Sequence, residues 1–136
     1  MENYLLDPIN IFATLVSTGN PALRPLDLNI HFGDENRIFD LSQSQLQKVS
    51  DYITSQIVNA LDPSLINSNF RKVSYANGTS INIPDWFVTL RGKDLFKIVF
   101  EVFGQQTTMK QLIASIQKTR MIPSDLLHLL ERVQGP

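Results

Sequence analysis

The chain has 136 residues, 43% of them hydrophobic and none of them cysteine, with 12 Lys plus Arg against 13 Asp plus Glu. A chain of this length can bury roughly two-thirds of the surface its unfolded form exposes, so one domain with its own core is expected, needing no disulfide or structural metal. The absence of cysteine excludes disulfides, thiolate zinc sites and a Cys nucleophile, and a formal net charge of −1 argues against a protein whose main task is to coat nucleic acid.

The first residues carry Glu2 and Asp7 where a signal peptide would carry bases, and no stretch approaches the ~20 apolar residues that span a bilayer. A cytoplasmic protein without a membrane segment is the expectation. Asp7-Pro8 starts a helix, because Asp can take the free N–H groups of the first turn and proline at the first helical position loses nothing. Gly19 marks its end, and Ile9, Phe12, Ala13 and Val16 fall on one face at helical spacing. After the proline-punctuated connector Asn20–Pro25, Leu26, Leu28, Ile30 and Phe32 alternate with polar residues as in a half-buried strand. Gly33–Asn36 reads as a turn, with Arg37–Leu41 returning antiparallel.

Ser42 and Gln45 have the spacing of a capping box, and Leu46, Val49, Ile53, Ile57 and Ala60 continue as one stripe to about residue 61. Asp62-Pro63 starts a further short turn. Between Phe70 and Phe103 lie seven of the twelve aromatics, and this stretch reads as the sheet. Phe70–Tyr75 and Ser80–Ile83 flank Asn77-Gly78, the dipeptide of tight hairpin turns. Trp86, Val88 and Leu90 alternate next, Arg91–Asp94 turns the chain, and Leu95–Phe103 runs back. That last run carries two periods at once, strand alternation at Phe96, Ile98, Phe100 and Val102 and a helical charge pair at Lys97 and Glu101. Its β-branched and aromatic content favours strand. Thr107 or Thr108 caps a helix to about Thr119 with Met109, Leu112, Ile113 and Ile116 as its stripe, and Ser124-Asp125 opens a closing helix bearing Leu126, Leu127 and Leu130.

The expected fold is therefore α+β and a single domain over residues 1–136, with helices packed on a mixed sheet of about 4–6 strands. Residues 1–41 form an N-terminal helix and strand extension, and residues 42–136 form a core in the order helix, strand, strand, strand, helix, closed by a C-terminal helix.

Two antiparallel strands joined at Arg91–Asp94 would set Asp85 beside Glu101. Paired carboxylates are a hard-oxygen site for Mg²⁺ or Mn²⁺, which can polarise a phosphodiester and activate water. In these residues the chain resembles the PD-(D/E)XK nuclease superfamily over residues 42–122. The resemblance implies a metal-dependent DNA endonuclease in which Asp85 and Glu101 hold Mg or Mn. The lysine of the family motif falls on Phe103, and Lys110 on the following helix is its substitute.

The residues point more directly to a non-catalytic interaction or assembly module, needing no cofactor. Its contacts to a protein partner or a second copy would come from Ile9, Phe12 and Val16 of the first helix and Leu126, Leu127 and Leu130 of the last. A third reading is nucleic-acid binding by Arg71, Lys72, Arg91 and Lys93. The charge distribution bears on it, since residues 1–40 hold six acids and two bases, and residues 71–136 hold nine bases and five acids.

Overall fold

The computed structural model describes residues 7–21, 26, 28, 30, 33–66, 68–90, 92–105 and 108–122. Its elements in chain order are helix α1 (Pro8–Thr18), a 3-10 turn (Glu35–Asp40), helix α2 (Gln43–Val58), a 3-10 turn (Pro63–Leu65), strands β1 (Phe70–Ser74) and β2 (Ser80–Pro84), and helices α3 (Asp85–Thr89), α4 (Gly92–Phe103) and α5 (Met109–Thr119).

Helix α1 starts and stops as its sequence dictates. Asp7 accepts the Asn10 N–H at 2.9 Å, Pro8 opens the first turn, and Gly19 takes the left-handed conformation at φ 65°. The Gly19 and Asn20 amides then reach back to the Val16 and Leu15 carbonyls, which closes the helix end. What the amphipathic reading missed is its burial. Every residue from Pro8 to Val16 is buried, including Ile11, Leu15, Asn10 and Thr14. Helices α2 and α5 and the Glu35–Asp40 turn all pack on it, so the first helix is the centre of the core and not a surface stripe.

The capping box expected at Ser42 forms, and where a cap at Thr107 or Thr108 was expected a second capping box stands at Thr108. Ser42 Oγ accepts the Gln45 N–H while Gln45 Oε1 accepts the Ser42 N–H, and Thr108 and Gln111 repeat the exchange. The buried stripe of α2 is Leu46, Val49, Ser50, Ile53, Thr54 and Ile57. In α5 the buried face is turned from the expected one: Leu112, Ser115, Ile116 and Thr119 lie inside, and Ile113 is exposed.

The hairpin is an antiparallel pair running from Phe70↔Pro84 to Ser74↔Ser80. Tyr75 N–H bonds to the Thr79 carbonyl and Gly78 N–H to that of Tyr75. The loop is thus three residues long, and Gly78 at φ 91° supplies the left-handed step that such loops require.

The expected sheet of about 4–6 strands is corrected to these two strands. The alternating stretch at Trp86, Val88 and Leu90 and the run Leu95–Phe103, expected as the second and third strands of the core, lie in the helices Asp85–Thr89, which Leu90 closes, and Gly92–Phe103. Trp86 and Phe87 are consecutive and both buried, which a helical turn allows and a strand with one buried face does not. In α4, Leu95, Val99 and Phe103 are buried at intervals of four. The return strand at Arg37–Leu41 is also replaced, by a 3-10 turn whose Ile38 is fully buried. Leu26, Leu28 and Ile30 pack half-buried on the core without belonging to a strand. No helix among the described residues is long and apolar enough to cross a membrane.

Candidate functional site

The residues proposed for metal chemistry are held by structure of another kind. Asp85 follows Pro84 at the point where β2 turns into α3. Its N–H donates to the Asn69 carbonyl at 2.9 Å and its Oδ1 accepts Arg71 Nε at 2.9 Å. It ties the start of β1 to the end of β2. Glu101 is exposed on α4 and Lys110 is exposed on α5. The antiparallel ladder that was to bring Asp85 and Glu101 together is absent, and among the described residues no three His, Asp or Glu side chains gather in a way that could hold a metal ion. An arginine on its carboxylate makes Asp85 a poor first ligand, so these residues do not fit the Mg²⁺ or Mn²⁺ centre that the resemblance implies.

Of the basic residues, Arg71 and Lys72 are exposed on β1, Lys93 stands in the first turn of α4, and Arg91 lies outside the described residues. Ile9, Phe12 and Val16 are sealed inside the chain's own core at no more than 2% exposure, so they are not available to a partner. Leu126, Leu127 and Leu130 lie outside the described residues.

What the hairpin does present is an asymmetric pair of edges. Tyr75 is a hydrogen-bonded position of the ladder, so Arg71 and Val73 share its inward direction, while the backbone groups of Phe70, Lys72 and Ser74 face away from β2. On the other strand, Asn82 faces outward in the same sense. Its edge is occupied: Gln47 of α2 accepts the Asn82 N–H at 2.7 Å and donates to the Asn82 carbonyl at 2.9 Å. The glutamine amide stands in for the peptide group of a third strand, and Asp51 holds it in place by accepting from the same Nε2 at 2.9 Å. No such cover exists on β1 among the described residues. Phe70, Lys72 and Ser74 are exposed there, with Phe70 showing 68% of its surface.

No family model, no curated protein and no solved structure matches this chain. The geometry therefore carries the functional argument alone.

A second feature is internal. Asp7 is 5% exposed at the head of α1, where Asn10 donates to both carboxylate oxygens. Burial raises its carboxyl from the ordinary 3.8 to about 6, against the opposing pull of those hydrogen bonds. Tyr75, at the end of β1, faces the same carboxylate. Burial first, and the Asp7 charge second, push its phenol well above 10. The Tyr75 hydroxyl and Asn10 Oδ1 are both buried without a hydrogen-bond partner of good geometry. Asp7 was legible in the sequence as a cap. Its burial had a signal too, since the segment after it is apolar on all sides apart from Asn10 and Thr14.

A third cluster joins two helix ends. Gln105, just after α4, donates to the Thr14 carbonyl at 3.0 Å and accepts from Thr18. Asn20 donates to the Phe103 carbonyl at 2.9 Å. These bonds fix the end of α4 against the end of α1.

Proposed function

We propose that this chain is a non-catalytic, cytoplasmic protein-interaction or assembly module whose contact surface is the outer side of the β1–β2 hairpin. The observation that carries the reading is the contrast between the two sheet edges. Edge backbone groups are strong, directional binding groups, and folded proteins cover or blunt them unless they are used. Here β2 is covered at Asn82 by Gln47, while among the described residues nothing covers β1 beside the most exposed large apolar residue of them, Phe70. A phenylalanine in that position adds an apolar anchor of the kind interfaces are built around.

The test uses the full chain as bait. A partner, or a second copy detected by light scattering, should be retained by the native protein and lost from Phe70→Asp while the melting temperature stays within a few degrees. A strictly monomeric protein that retains no partner, or a partner indifferent to Phe70→Asp, counts against the reading.

A further inference from the structure

We propose that the edge of β1, unpaired among the described residues, takes an extended, acidic segment of a protein partner as an added strand; this rests on the reading of the chain as an interaction module. Three observations carry it. The outward N–H and C=O groups of Phe70, Lys72 and Ser74 have no partner among the described residues, and a strand of five residues offers about 17 Å of ladder. Backbone pairing already occurs where the strand leaves the ladder, as the Ala76 N–H donates to the Ile122 carbonyl at 2.8 Å. Charge then selects the occupant. β1 contains Arg71 and Lys72 and no acid, and although Arg71 is engaged by Asp85, Lys72 has no ion-pair partner among the described residues.

A second copy of the chain is a poorer occupant. Antiparallel pairing of all of Phe70–Ser74 with itself about a two-fold axis sets Lys72 opposite Lys72, and like charges directly opposite destabilise a ladder. An acidic residue opposite Lys72 instead sits about 5 Å away across the strands, and an apolar residue two positions along meets the Phe70 ring. The segment must be extended and must keep its own N–H groups, because the bonds it makes are those of a sheet.

The full-length protein is titrated with a short fluorescent peptide carrying valine two positions to either side of a central glutamate with threonine between them, its lysine counterpart, and the glutamate peptide N-methylated at alternate positions. The acidic peptide should bind about tenfold more tightly than the basic one and than its N-methylated form. Lys72→Glu, an exposed change that leaves the fold intact, should reverse the charge preference. No binding of the acidic peptide at millimolar concentration, or equal binding of all three, overturns the proposal. Single-stranded DNA competing for the same site and lost with Lys72→Glu would assign the edge to nucleic acid. A dimer that Lys72→Glu does not weaken would assign it to a second copy. If a partner depends on Phe70 yet ignores both N-methylation and Lys72→Glu, the interaction reading stands and the edge-pairing proposal fails.

Discussion

Asp7 places a carboxylate at the head of the most deeply buried helix, where it serves as cap and carries a cost. Its folded-state value of about 6 lies above the ordinary 3.8, so the folded protein holds this proton more tightly than the unfolded chain. Between those two values the folded state binds more protons, and stability therefore falls as pH rises from 4 through 6. At about 1.36 kcal/mol per pKa unit, the cost of ionising Asp7 at neutral pH is roughly 3 kcal/mol. Asp7→Asn keeps an oxygen for the Asn10 N–H and removes the charge. Denaturant melts should find the variant gaining about 2–3 kcal/mol on the native protein between about pH 4 and pH 8. A stability difference that is the same at both ends would mean that Asp7 does not titrate in this range. Arg120 is the other residue with an unusual setting. It ends α5 in the left-handed conformation at φ 56° without being glycine, and its guanidinium lies 4.5 Å from the centre of the Phe39 ring, a cation–π contact that offsets the backbone strain.

At the scale of elements, the hairpin and the segment after it show how one composition serves two structures. Asn77-Gly78 specified a local turn, and the strands on either side of it formed. Leu95–Phe103 was open between two periods. Strand alternation would place Lys97 and Glu101 on the same face as Leu95, Val99 and Phe103, which are all buried. Helical spacing leaves only Phe100 out of place, 53% exposed. Counting mismatches on both faces favours helix, whereas aromatic and β-branched content favoured strand; the burial pattern sides with the count. Gln47 could not be read from the sequence at all, because its partner Asn82 is 35 residues away and any exposed helical glutamine looks the same. Gln47→Ala should cost about 1 kcal/mol, since each exposed backbone bond contributes little net. Its clearer signature is in hydrogen exchange. The Asn82 amide should lose protection while Ile81 and Ile83, bonded to β1, keep theirs; unchanged exchange at Asn82 would rule out Gln47 as the cover of that edge.

Among the described residues, α2, α5 and the Glu35–Asp40 turn close around α1, with the hairpin laid against α2. Because α1 is buried on every side, shortening one of its side chains leaves a cavity that no neighbour on a free surface can relax into. Phe12→Ala should cost about 3–5 kcal/mol, a large part of the 5–15 kcal/mol that holds a domain of this size. A loss below about 1 kcal/mol in urea denaturation would place α1 outside the cooperative core. The sequence by itself determined what depends on neighbours in the chain: the Asp7 cap and Gly19 stop, the capping boxes at Ser42 and Thr108, and the Asn77-Gly78 turn. Each is a bond or a backbone conformation set within a few residues. Only the tertiary structure decided what depends on distant partners: that α1 is interior, that Asp85 binds Arg71, and that among the described residues Gln47 covers the sheet edge at Asn82 while nothing covers the edge of β1. Burial and edge pairing are settled by which surfaces meet, and the local pattern of apolar residues is compatible with more than one such meeting.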